Sequence, residues 1–265
     1  MTANSFKIIG IGAATRDEFF VVPEFCADES VTQALGSAID SGGPVATALA
    51  VLKAHGHACK LIDGAPARAV ILVRQRDGAR QIIFQPSGAP EPEIEANLLD
   101  GADLLHINGR HENAARQAVK LAQANGVPIS FDGGAGRWRE SIRDLIEASH
   151  VRIVSRDFAE KYAADQEVVV ALLKPPALVL VITDGVRGSH IWTATEHFHQ
   201  PAFPAEPLVD TTGCGDVFHG AFLHGWLKKW PLEHCARYSS RLAAKNAEGL
   251  GGRYVLNAAT LNLEL

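Results

Sequence analysis

Residues 209–222 read VDTTGCGDVFHGAF, and three kinds of chemistry could be done there. Cys214 is a candidate nucleophile or metal ligand, Asp216 a candidate general base, and Gly213 and Gly215 candidate makers of an anion-binding turn. A Gly-x-Gly turn feeding a helix over 216–229 (DVFHGAFLHGWLKK) aligns backbone N–H groups at a helix N-terminus. Unpaired amides and the helix dipole hold anions at such a place. Glycine permits the unusual dihedrals and the close approach that the turn needs. A carboxylate in the first helical turn then lies beside any bound phosphoryl group, placed to take the proton of an attacking hydroxyl. The same spacing also suits an aspartate that only caps a helix. A reactive thiol requires a base or a positive charge beside it, and the sequence identifies none for Cys214. The cysteine therefore reads as a bystander whose backbone N–H matters more than its sulfur.

The elements that must carry this stretch are legible around it. Short β-rich runs at 7–12, 58–62, 103–107, 128–131, 151–154 and 178–182 alternate with amphipathic helical stretches at 44–55, 112–125, 139–148 and 157–163. Several of the runs are near-continuous Val, Ile and Leu, as strands covered on both faces should be. The alternation predicts an α/β fold with a doubly wound, mostly parallel sheet flanked by helices. Two segments break the rhythm. RAVILVRQRDGARQIIFQ (68–85) places two β-like runs around Asp77-Gly78, a hairpin signal, and residues 16–40 are strand-like and turn-rich. Together they predict a small β-sheet projecting from a single domain that spans residues 1–265.

Composition narrows the class. The 265 residues are 47% hydrophobic and 21% charged with a formal net charge of −5, which offers no broad basic field to nucleic acid or to an anionic membrane. The four cysteines form no C-x-x-C pair, which argues against a zinc site or a disulfide framework and suits a reducing compartment. No apolar run approaches the roughly 20 residues of a membrane span. The N-terminus reads as a first strand rather than a signal peptide, so a cytoplasmic protein is expected. Among the eleven histidines no pair shows H-E-x-x-H spacing. Trp226 and Trp230 read as packing residues. GIGAAT at 10–15 lacks the third glycine of a dinucleotide fingerprint, and no G-x-x-x-x-G-K-[ST] phosphate loop occurs.

VDTTGCGDVFHGAF resembles the C-terminal signature of the ribokinase/PfkB family of sugar and nucleoside kinases, D-T-x-G-A-G-D. SGGPVATALAVLKAHG (41–56) resembles the family's di-glycine motif with its helix, GIGAATRD (10–17) its first strand and substrate aspartate, and VITDGVRGS (181–189) its nucleotide segment. Within the family, LLHINGRHENAARQA and IVSRDFA look most like ketohexokinases. SGGPVATA, HQPAF, DTTGCGDVFHGA and GLGGR look most like bacterial sulfofructose kinases. Both branches phosphorylate a ketohexose-type sugar on the C1 hydroxyl.

The resemblance implies an ATP-dependent sugar kinase that uses Mg²⁺, with Asp216 as the base and the amides of Gly213, Cys214 and Gly215 as an anion hole. It implies sugar contacts from Asp17, Gly42, Gly43, Thr47 and Arg110, and nucleotide contacts from Thr183, Gly185 and Gly188. Asp210 and Thr212 match positions that hold a monovalent cation such as K⁺ in some members. The projecting sheet would act as a lid, and such lids pair in homodimers in this family. The partner otherwise implied is a small-molecule sugar; a nucleoside acceptor and a catalytically weak sugar or nucleotide binder on the same fold stay open. Arg137 and Arg139 are candidates for an anionic sugar tail.

Departures from the family pattern bear on substrate and metal. Thr47 stands where members commonly carry asparagine, and Pro44 where ketohexokinase has another. A hydroxyl cannot reproduce an amide's paired donor and acceptor. Ser155 and Phe158 replace the usual Asn-x-x-Glu. Only LIDGAPA separates Lys60 from Arg68, where relatives place a further loop, helix and strand.

Overall fold

The structure is a computed structural model that describes residues 5–257. In chain order its elements are β1 (Lys7–Ile11), β2 (Thr15–Val22), β3 (Gly36–Gly42), α1 (Pro44–Ala54), β4 (Ala58–Ile62), β5 (Ala67–Arg74), β6 (Arg80–Gln85), β7 (Leu104–Ile107), α2 (Glu112–Asn125) and β8 (Ile129–Gly133). There follow α3 (Arg143–Glu147), β9 (Val151–Ser155), α4 (Arg156–Ala163), α5 (Val168–Leu172), β10 (Val179–Thr183), β11 (Ser189–Trp192), β12 (His197–Gln200), α6 (Cys214–Leu227), α7 (Leu232–Asn246) and α8 (Tyr254–Asn257).

Eight strands form one sheet in the order β12-β11-β10-β9-β8-β7-β1-β4. The six from β10 to β4 run parallel, and β11 and β12 add an antiparallel edge. The doubly wound α/β sheet read from the sequence is the fold observed. Alternate residues of each central strand enter opposite cores, as the strand period of two requires. Ile9, Leu105, Ile107 and Ile129 face α2 to α5, whereas Ile8, Leu104, Val151 and Ile153 face α1, α6 and α7. Trp226 and Trp230 pack against this second core.

Four strands form a second sheet in the order β3-β2-β5-β6. Register sets one row across it, Asp40–Asp17–Ala69–Phe84, on the same face as the small buried cluster of Phe19, Ile71 and Val73. The next row, Ile39–Glu18–Val70–Ile83, faces away. The short connection after β4 runs directly into β5, so β4 closes the main sheet as an edge strand.

Three boundaries differ from the expectations. The helix expected over 139–148 is a 3₁₀ turn at Glu140–Ile142 followed by the five-residue α3. Arg139 is extended because its guanidinium bonds Glu112 and the Gly109 carbonyl. Helix α6 begins at Cys214, two residues before the expected start, because Gly213 already occupies the left-handed cap position with φ 72°. VVVAL at 168–172, unassigned from sequence, forms α5.

Candidate active site

The carboxyl ends of the parallel strands all open on one edge, and the sheet order reverses about β1, whose neighbours are β4 and β7. Ligands of open α/β sheets sit in the crevice at such a reversal. The chain after β1 leads into the second sheet, which brings Asp17 to this edge. Asn108 to Arg110 follow β7, Asp132 lies near the end of β8, Ser155 ends β9 and Thr183 ends β10.

Asp17 is 5% exposed, and its Oδ1 has no hydrogen-bond partner. Burial raises its pKa, the Thr15 side chain opposes this, the Asp40 carboxylate adds to it, and Arg253 opposes it. Gly42 makes room for that carboxylate: a Cβ there would lie 1.9 Å from Asp17 Oδ2. Thr47, on α1, accepts a hydrogen bond from Arg253 Nε (3.1 Å), and Arg253 Nη2 donates to the Gly42 carbonyl (3.3 Å). Gly43, the residue before α1, has φ 95°. Arg253 thus ties together Thr47 and Gly42, two of the five positions read as sugar contacts, and its own pKa is lowered by burial against the pull of Asp40, Asp216 and Asp17.

The Arg110 guanidinium sits 4.7 Å from the centroid of the Phe84 ring, on the inner row of the second sheet. Desolvation, then Arg137 and Arg139, lower its pKa, so three arginines converge beside the site. They are not equivalent. Arg139 is held by Glu112 (2.8 Å), whereas Arg137 Nη1 is buried without a hydrogen bond and lies 3.9 Å from Asp132.

At the start of α6, the Gly213 conformation is fixed by the loop at 249–253: a Cβ on Gly213 would lie 2.1 Å from the Gly252 carbonyl oxygen. The Val217 amide bonds Gly213 O (2.8 Å), and the Cys214 amide is engaged with Thr211 O (3.4 Å). The amides without a partner among the described residues are therefore those of Gly213, Gly215 and Asp216. Of the expected trio Gly213, Cys214 and Gly215, the Cys214 amide is the one already engaged, and the Asp216 amide is unpaired beside the other two. Asp216 is the third residue of the helix. Its pKa is raised, above all by burial; Arg137 acts against this, the Asp132 carboxylate adds to it, and His219 and Arg80 lower it. Burial also pushes the Cys214 thiol up to about 12, which leaves it protonated and unreactive at neutral pH.

Asp210 is fully buried and accepts from the amides of Thr212 (2.8 Å) and Gly251 (3.0 Å), which pins the loop before α6 to the loop after α7. Thr212 Oγ1 is buried without a partner, and the Thr212 carbonyl accepts from Asn246 (3.0 Å). The Asp77-Gly78 turn docks on the same loop through Thr211 Oγ1 to Gly78 O (3.1 Å), and Arg80 Nη1 donates to Thr211 Oγ1 (2.8 Å). Thr183, Gly185 and Gly188 lie in the turn from β10 to β11, where Asp184 is paired with Arg187 and Arg156, and the bonds from these two arginines hold its pKa at about 2. Ser155 caps α4 by accepting from the Phe158 amide (3.2 Å), so that loop presents neither an amide side chain nor a carboxylate at the positions of Asn-x-x-Glu. Among the described residues no cluster of His, Cys, Asp and Glu could hold a metal ion, and no helix is long and apolar enough to cross a membrane.

A family model described as pfkB family carbohydrate kinase matches residues 45–258. The chain belongs to that family. An uncharacterized sugar kinase of Archaeoglobus fulgidus is 48% identical over 209 residues, 72% of this chain and 80% of that protein. An ATP-dependent ribose-1-phosphate kinase of Halopiger xanaduensis is 25% identical over 184 residues, 69% of this chain and 59% of that one. Apart from the archaeal sugar kinase, the chain spans little more than half the length of the curated relatives it matches. Among solved structures, a putative ribokinase from Agrobacterium tumefaciens superposes with a TM-score of 0.79 at 20% identity, covering 94% of each chain. A putative ribokinase II from E. coli in complex with ATP and Mg²⁺ does so with a TM-score of 0.77 at 18% identity, again over 94% of each chain. These likenesses establish the ribokinase-like fold.

The pfkB signature in this chain lies at the start of α6, and the fold gathers Asp17, Gly42, Thr47 and Asp216 around Arg253. Thr183, Gly185 and Gly188 stand apart, two strands beyond β8. Sequence reasoning assigned no role to Asp132, His219, Arg253, Asp40 or Arg80. His219 and Arg253 lie within stretches that carry the resemblance, DVFHGAF and GLGGR. Asp40 is marked only by its register opposite Asp17.

Proposed function

We propose that this pfkB protein is an ATP-dependent kinase that phosphorylates a hydroxyl group of a small sugar. The observation that carries the reading is the start of α6, where a half-buried carboxylate of raised pKa stands beside three unpaired backbone amides. Those amides and the unbonded Arg137 Nη1 fit a phosphoryl group. ATP would lie toward Thr183, Gly185 and Gly188, and the sugar between Asp17, Gly42, Gly43, Thr47 and Arg110. Mg²⁺ arriving with ATP would supply charge neutralisation; Ser155 and Phe158, at the positions of Asn-x-x-Glu, offer it no carboxylate. The loop at Asp210 and Thr212, with a carbonyl and an unpartnered hydroxyl, is the candidate K⁺ position.

Asp216 takes the proton of the sugar hydroxyl, whose oxygen forms a bond to the γ-phosphorus as the bond to the bridging β,γ oxygen breaks, and ADP leaves. The amides of Gly213, Gly215 and Asp216 face the charge that develops on the phosphoryl oxygens. The inner row of the second sheet covers the sugar and excludes water. Its outer row exposes Ile39 and Ile83, which supports a homodimer through this sheet. A coupled ADP-release assay against ketoses, aldoses, sugar phosphates and nucleosides identifies the acceptor. Asp216→Asn is then expected to lower kcat at least about a hundredfold with KM little changed. Turnover at the wild-type rate would remove Asp216 as the base.

A further inference from the structure

His219 lies three residues after Asp216 on α6 and is 4% exposed. Its Nδ1 is 2.7 Å from the Gly215 carbonyl oxygen and its Nε2 is 3.0 Å from the Ile153 carbonyl oxygen in the middle of β9. Carbonyl oxygens only accept, so both contacts are hydrogen bonds only if both ring nitrogens carry protons. Turning the ring over puts carbon at both places and loses both bonds. A buried imidazolium needs a counter-charge. Asp132 Oδ1 is 3.5 Å from Nε2, and register pairs Asp132 with Ile153 on the neighbouring strand. Asp132 is 1% exposed, and neither of its oxygens has a hydrogen-bond partner.

We propose that His219 is held as an imidazolium paired with Asp132, and that this pair sets the charge and orientation of Asp216 for its work as a base. The inference rests on the reading of Asp216 given above. Asp132 and Asp216 are two carboxylates in one site, and such a pair retains a proton unless enough positive charge faces it. Arg137, 3.9 Å from Asp132 Oδ1, supplies part of that charge, and the imidazolium adds the rest. Its bond to the Gly215 carbonyl also fixes the peptide unit that carries the Asp216 amide. Asp216 is faced as well by Arg137 after β8, Arg80 from β6 and Arg253 after α7. Arginine keeps its charge at any working pH, so these three are constant. His219 is faced by His106 of β7 at a ring distance of 6.3 Å. His106 Nδ1 bonds Ser130 Oγ, and burial keeps that ring neutral with a pKa of about 4. Replacing His219 or Asp132 therefore changes the charge around the base while leaving the three arginines in place.

The test is the pH profile of kcat/KM. His219→Gln is expected to move the acid limb up by about one pH unit, and Asp132→Asn to move it down, with the double variant returning toward wild type. A limb that stays put in both single variants, or moves the same way in both, overturns the proposal. Should either variant fold poorly, nitrogen-15 NMR of the wild-type imidazole at pH 7 decides independently: two protonated ring nitrogens on His219 support the pair, and a neutral tautomer overturns it. Activity surviving in Asp216→Asn would remove the base and leave the NMR result standing, so the two failures are distinguishable.

Discussion

At the residue scale, Cys214 and Asp216 exchange the prominence that their side chains suggest. The thiol lies 3.9 Å from Asn246 Nδ2 and is held protonated by burial, while its amide closes the turn onto Thr211. Alanine preserves that amide. Cys214→Ala is therefore expected to keep kcat/KM within about threefold of wild type in the ADP-release assay, and a loss beyond about tenfold, or 1.4 kcal/mol of transition-state stabilisation, would give the sulfur a role. The residues legible from sequence were those whose chemistry is local. A glycine, a carboxylate and the start of a helix within four positions can be read along the chain. Arg253 could not, because it meets Thr47 across 206 residues of sequence. Asp132 and His219 come from different elements, and neither type at its own position differs from an ordinary strand or helix residue. Their meaning lies in what faces them, two carbonyls for His219, and for Asp132 the His219 ring and the Arg137 guanidinium with no hydrogen bond to either.

At the element scale, the second sheet is defined by register more than by composition. Asp77-Gly78 marks the β5–β6 hairpin in the sequence, but the parallel pairing of β2 with β5 does not follow from any local signal. That pairing puts Asp40, Asp17 and Phe84 on one face and Ile39 and Ile83 on the other, with Ile83 61% exposed. The docking of the hairpin turn on Thr211 links this sheet to the first turn of α6, so the proposed cover of the sugar and the proposed anion hole share a joint. A homodimer through the outer face buries Ile83. Sedimentation velocity is expected to show a dimer for the wild-type protein and a monomer for Ile83→Lys, because a cation has no partner in an apolar sheet-to-sheet contact. A monomer at all concentrations in the wild type would end that reading. The helix mispredicted at 139–148 has the opposite origin: its apolar spacing is real, and Ile142, Leu145 and Ile146 are buried, but Arg139 is drawn out of helical geometry by Glu112.

At the scale of the whole molecule, the alternation of strand and helix signalled the doubly wound sheet, while the strand order awaited the contacts between distant segments. Those contacts also created a histidine cluster far from the strands' carboxyl ends, where α1, α6 and α7 meet the start of β1. The Phe6 amide donates to His57 Nδ1 (3.3 Å), so His57 Nε2 carries the proton and donates to His224 Nδ1 (2.9 Å). Both rings are therefore neutral by geometry. Burial depresses the pKa values to about 4 for His57 and about 3 for His224, with Lys228 adding at both, and it lowers that of His55 as well. The unfolded chain protonates these rings near pH 6.5 and the folded chain does not until far lower. Between those values the unfolded state binds more protons, so stability is complete above about pH 6.5 and is lost as pH falls toward 4 and then 3, at up to about 1.4 kcal/mol per pH unit for each ring. Thermal melts between pH 7.5 and 4.5 are expected to show Tm falling with pH, and His224→Asn, which removes one titrating ring, is expected to flatten that fall. An equal slope in the variant would place the acid sensitivity of this fold in another group of residues.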